Sequence, residues 1–150
     1  MGVSEETAVR AEYTVVSASA LGFVRYAGGI GARAIIRLAG ALWADPDWDA
    51  DFDLVVDLAR ARMTVGEEER RRMASFFESY PLASRGRLVH IVGDGSLEYS
   101  RMSEAILPGG ERSFARVPDL GEALRHRFGE RAAGVEASLR TSALRRVSVD

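Results

Sequence analysis

The 150-residue chain has no cysteine, and no lysine, asparagine or glutamine either. Without thiols there is no disulfide framework and no thiolate zinc site. Without lysine there is no Walker-type phosphate loop. The missing lysines and amides resemble codon bias in a GC-rich genome and carry no mechanistic meaning. No run approaches the roughly 18 apolar residues of a membrane span. The segment Met1 to Glu12 is acidic and lacks an apolar stretch, which predicts no signal peptide and a cytoplasmic location. All 20 basic residues are arginine against 22 acids, a net charge of -2. They form no long basic run, so nucleic acid is not an expected partner.

What is present suits one globular domain. Hydrophobic residues make up 47% of the chain and charged ones 28%, while 8% aromatics and a mean hydropathy of -0.08 argue against disorder. Residues 1–12 read as a flexible lead-in. Tyr13 to Ser17 and Phe23 to Tyr26 read as a hairpin turning near Leu21-Gly22. Gly28-Gly29-Ile30-Gly31 reads as a loop, followed by a helix with Gly31, Ile35, Leu38 and Leu42 at helical spacing and a stop at Asp45-Pro46. Leu54 to Leu58 and Leu88 to Val92 read as buried strands. A helix is expected from about Val65 to Tyr80, a third from Leu97 to Leu107, a strand from Ser113 to Val117, and a last helix opened by Pro118-Asp119. The order β-β-α-β-α-β-α-β-α predicts an α/β fold with a mostly parallel sheet and an antiparallel N-terminal edge. The domain spans residues 13–128, and the tail 129–150 reads as a weak helix packed on the domain or on a second subunit.

With certain stretches, this order resembles the STAS-like domains of the anti-sigma-factor-antagonist, SpoIIAA-like, type. The stretches are Asp45-Pro-Asp-Trp48, Asp53-Leu-Val-Val-Asp57-Leu, Thr64-Val-Gly-Glu67, Leu97-Glu-Tyr-Ser-Arg-Met102 and Val117-Pro-Asp-Leu-Gly-Glu-Ala-Leu124. The likeness covers roughly residues 13–128. It implies a module that binds a protein partner or a small ligand. Phospho-switched members carry an Asp-Ser-Ser/Thr-Gly motif where this chain reads Arg62-Met-Thr-Val-Gly-Glu67. The paired acid and serine are missing, and the resemblance does not extend to a phospho-switch.

Several motifs have plain structural readings. Thr64 and Glu67 fit a capping box at the start of the second helix, and three adjacent glutamates would repel a phosphate on Thr64. Asp45, Asp47, Asp49, Asp51 and Asp53 alternate, but an EF-hand loop needs Gly at position six and Glu at position twelve. Those positions hold Ala50 and Val56, or Phe52 and Leu58. His90 and His126 have no metal-ligand spacing, no Gly-x-Ser-x-Gly elbow exists, and Gly93-Asp94-Gly95 is too short for a phosphate fingerprint. No metal and no cofactor are therefore expected. Trp43 extends the first helix's core stripe. Trp48, Tyr99 and Met102 read as an exposed set and, with the tail, suggest a homodimer.

Open α/β sheets bind ligands where strand C-termini meet helix N-termini. That edge would gather Asp57, the segment Ala59 to Thr64 read as a loop, and the loop Gly93 to Ser96. Arg60 and Arg62 would supply positive charge, and Met63 and Tyr99 apolar walls. The predicted site is Asp57, Arg60, Arg62, Met63, Thr64, Ser96 and Tyr99. It would serve a non-enzymatic module that recognises a protein partner or a small amphipathic ligand. The alternatives are an enzyme built on Asp57, Arg60 and Arg62, or a self-assembling structural subunit.

Overall fold

Strand formers at both ends of the chain and between helices assemble one six-stranded mixed sheet, ordered β5-β4-β3-β2-β1-β6. The computed structural model describes residues 8–63, 66–79, 86–106 and 114–148. β1 (Arg10–Val16) pairs antiparallel with β2 (Leu21–Ile30), and β2 then lies parallel to β3 (Asp53–Met63). β4 (Leu88–Ile91) and β5 (Phe114–Val117) extend the parallel part. β6 (Arg145–Arg146) adds a short antiparallel edge outside β1. The chain is an α/β domain, as its element order predicts.

Two cores lie on opposite faces of the sheet. Val24, Tyr26 and Ile30 of β2 and Val56, Leu58 and Ala61 of β3 face α1 (Ala32–Ala44), α2 (Glu67–Glu78) and α3 (Leu97–Ile106). Leu21, Phe23, Val55, Val89 and Ile91 face α4 (Leu120–Phe128) and α5 (Ala132–Thr141). In α1 the residues Ala34, Ile35, Leu38 and Leu42 are buried at helical spacing. Each fully buried Leu or Ile of this kind contributes about 1.5–3 kcal/mol. Pro46 forces Asp45 into extended backbone (ψ 128) and ends the helix. α4 begins on Asp119, whose carboxylate accepts from the Glu122 amide at 2.8 Å. α1 has no cap of its own. Glu69, from α2, accepts from the Ala32 amide at 2.8 Å and places a negative charge at the positive end of α1.

Several expectations need correction. β1 begins at Arg10, and Ala11 is fully buried, so the lead-in is shorter than twelve residues. The hairpin turns at Ser17–Ser19 with Ala20 at φ 51, not at Leu21-Gly22, which already belong to β2. Gly28 to Ile30 is strand, because Gly28 takes φ 79 while the ladder continues from Gly28↔Ala61 to Ile30↔Met63. Residues 59–63 are likewise strand, the last five residues of β3. α2 starts after Gly66, whose backbone is extended and offers no side-chain cap. Thr64 lies outside the described residues. The capping box fails because Glu67 is the first helical residue and bonds Arg70 at 2.6 Å. Tyr99 is buried, while Trp48 and Met102 pack against the first core. The set read as exposed therefore packs within a single chain. The tail folds onto its own domain, with Val135 and Leu139 in the second core.

Candidate functional site

The sheet divides the predicted site in two. Asp57 and Arg60 sit on the face that carries Phe23 and Val55, in a concavity of about 330 Å³ that Arg10, Arg25 and Ala27 also line. Ser96 and Tyr99 are buried on the other face. Met63 packs against the first core, and Arg62 is exposed outside the concavity. The predicted apolar walls, Met63 and Tyr99, are therefore not shared with Arg60.

A bulge brings Asp57 and Arg60 together. Register runs Arg25↔Asp57 and then Ala27↔Arg60, so β3 has one residue more than β2 over this step. In a regular strand, residues three apart point to opposite faces. The extra residue reverses the parity, as bulges do. The Asp57 carboxylate accepts from the Ala59 amide at 3.1 Å across the bulge. Ser96 supports it from the other side: its hydroxyl donates to the Leu58 carbonyl at 3.0 Å and accepts from the Gly93 amide at 3.1 Å. Gly93 and Gly95 let this loop run close to β3, since an added Cβ would lie 2.8 Å from the Ala59 and Ala61 carbonyl oxygens respectively. Ser96 is thus a support for the site and not a lining residue. Ser96→Ala is expected to lower stability by about 2 kcal/mol, because the buried Leu58 carbonyl and the half-buried Gly93 amide lose their partner. Urea unfolding checks this, and a change within error of zero counts against it.

The charges fall in rows across the strands. Glu12, Arg25 and Asp57 are register neighbours, so an acid lies on either side of Arg25. Arg25 Nε reaches Asp57 Oδ2 at 3.3 Å, and its guanidinium lies 5.2 Å from the Phe23 ring centroid. The next row is Arg10, Ala27 and Arg60. Strand spacing puts the two outer Cα atoms about 10 Å apart. Neither Arg10 nor Arg60 has an ion-pair partner among the described residues. Ala27, a small floor between two long cations, leaves space for an anion. Arg10 and Ala27 were not legible as site residues, since only pairing register places them beside Arg60. The alternation Arg60-Ala61-Arg62-Met63 was the available signal that this segment is strand.

The alternating aspartates take local roles. Asp45 accepts from the Tyr13 hydroxyl at 2.8 Å, from the Asp47 amide at 2.9 Å and from Arg145. Asp49 accepts from the Asp51 amide, and Asp53 from the Arg87 amide and Arg127. Among the described residues no cluster of His, Asp and Glu could hold a metal ion, and no helix is long and apolar enough to cross a membrane. No protein family, curated protein or solved structure was found to match this chain.

Proposed function

We propose that the chain is a STAS-like, non-enzymatic binding module that recognises a small anionic group in the arginine concavity. The element order and mixed sheet support the STAS-like part. The observation that carries the binding role is the row Arg10-Ala27-Arg60, in which two guanidiniums with no ion-pair partner among the described residues flank a small floor. Guanidinium forks hold carboxylate and phosphate oxygens with paired, charge-assisted bonds. A concavity of about 330 Å³ has room for a small ligand or for an acidic side chain offered by a protein partner. Asp57 tunes this site. It holds Arg25 and the bulge through its two carboxylate oxygens.

Calorimetric titration with inorganic phosphate and with acetate tests the proposal. Each guanidinium is expected to contribute about 1.5 kcal/mol, so Arg10→Ala/Arg60→Ala binds about a hundredfold more weakly. Arg62→Ala leaves affinity unchanged. Asp57→Asn keeps an acceptor for the Ala59 amide and removes a negative charge, so affinity should rise about fivefold. Undiminished binding by the double arginine variant overturns the proposal. Loss of binding in Asp57→Asn favours the alternative in which Asp57 acts chemically.

A further inference from the structure

The sheet face that carries the arginine concavity changes character along β2. Phe23, Arg25 and Ala27 alternate onto this face, each about 6.6 Å from the next. Leu21 and Phe23 lie under α4 and α5. Arg25 is half-buried, and past it Arg10, Ala59 and Arg60 are exposed. The helix layer therefore ends at the Arg25 row.

At that end a recess of about 250 Å³ opens between the sheet, the start of α4 and the end of α5. Its polar lining is already engaged. Arg140 bonds Glu136 at 2.5 Å, the Ser142 hydroxyl donates to the Ser138 carbonyl at 2.8 Å, and Arg25 is held by Asp57. What remains for a ligand is apolar: Phe23, Leu120, Leu139 and Leu144. Arg25 also lines the arginine concavity, so the two hollows share a wall. Its guanidinium lies 5.2 Å from the Phe23 ring centroid. The methylene stem of such a side chain is itself an apolar surface.

Two cations beside an apolar recess are complementary to a molecule with one anionic end and one hydrocarbon end. Asp57 lines the cationic end and opposes a second negative charge on the head. Length follows from the strand. Phe23 and Ala27 are four positions apart, or about 13 Å. A zigzag of C–C bonds near 1.5 Å advances about 1.3 Å per carbon, so about ten carbons cover that distance. On the scale of a cavity of about 150 Å³ that holds benzene, a recess of about 250 Å³ has room for about ten heavy atoms.

We infer that the ligand is a medium-chain carboxylate of about ten carbons. Its head lies between Arg10 and Arg60, and its unbranched tail passes the Arg25 stem into the recess. This assignment rests on the anion-binding reading of the two arginines.

Calorimetric titration of the intact protein with acetate, hexanoate, decanoate and dodecanoate, each below its micelle concentration, reads the tail. Decanoate should bind one per chain and at least about a hundredfold more tightly than acetate, since each fully buried methylene is worth up to about fourfold. Dodecanoate should match decanoate within about twofold, because its last carbons meet no further wall. Leu144→Glu should weaken decanoate at least about tenfold by placing a charge in the recess, and should leave acetate unchanged. Arg10→Ala/Arg60→Ala should weaken both. Decyl phosphate, a dianion at about pH 8, should bind no more tightly than decanoate. If Leu144→Glu does not fold, methyl NMR of the parent chain decides: decanoate, unlike acetate, should shift the Leu120, Leu139 and Leu144 signals. Equal affinities for acetate and decanoate, both needing the arginines, overturn the inference and leave the anion site standing. Binding of both that survives loss of the arginines overturns the anion site as well. Affinity that climbs on through dodecanoate, or leucine methyls that do not move, overturns the recess. Tighter binding of decyl phosphate overturns the carboxylate head.

Discussion

Asp45→Ala is expected to destabilise the fold by about 3 kcal/mol, because it strips a buried junction of three donors. The Asp45 side chain is 1% exposed and joins the end of α1 to β1 and β6 through Tyr13 and Arg145. Burial alone would raise its carboxyl. The Asp47 amide, the Tyr13 hydroxyl and the Arg145 guanidinium outweigh that and hold it below the usual carboxylate range. A carboxyl depressed in the folded state adds stability above its unfolded value, near 3.9, and that stability disappears as pH falls through the lower folded value. Urea midpoints measured from pH 5 downward should therefore fall more steeply for the parent chain than for Asp45→Asn. Parallel curves would show that Asp45 is not linked to acid unfolding. Tyr13 follows the same junction. Burial first, and then its bond to Asp45, raise its phenol above the ordinary value.

Gly86→Ala is expected to cost about 3 kcal/mol, at the upper end of what overpacking does. An added Cβ would lie 2.2 Å from the Phe52 carbonyl oxygen and 2.6 Å from its carbon. Those atoms are backbone and cannot rotate away. Next to them, the Arg87 amide donates to Asp53 at 2.8 Å and the Leu54 amide donates to the Arg87 carbonyl at 2.8 Å. The start of β4 must therefore move off β3. Gly40→Ala is the control with the opposite sign. Gly40 is inside α1, and nothing lies within 4 Å of an added Cβ. The change should stabilise the protein by about 1 kcal/mol, the helix-propensity difference. Calorimetric melting of both variants checks the pair. A neutral Gly86→Ala would mean that β4 has room the packing does not show.

The fold was legible where one residue type dictates one outcome. Pro46 ended α1, Asp119 opened α4, and the apolar runs of β3 and β4 fell in the sheet interior. It was not legible where the backbone departs from the local signal. Three glycines between Ala27 and Ala32 look like a loop, yet Gly28 and Gly29 pair with β3 and only Gly31, just before α1, lies outside the ladder. Thr64 with Glu67 looks like a cap, yet Gly66 takes that position. The site was half legible for a related reason. Asp57 and Arg60 share a concavity because of one inserted residue, and hydrophobic patterning cannot announce a bulge. Arg10 joins them through pairing with Ala27, which is a fact of register and not of sequence spacing. Tyr99 read as an exposed wall because the serines around it hid the inward stripe of α3.

The cap that Glu69 provides to Ala32 bears on how the protein opens. Those residues are 37 positions apart, so the first turn of α1 is completed only when α2 has docked. The amide at Ala32 then has no protection from solvent deuterium in any state that releases α2. Its exchange rate reports the opening of α2, not fraying of α1 itself. The two helices should behave as one cooperative unit. A subglobal opening that begins in α2 would thus expose the start of α1 before any strand of the sheet separates.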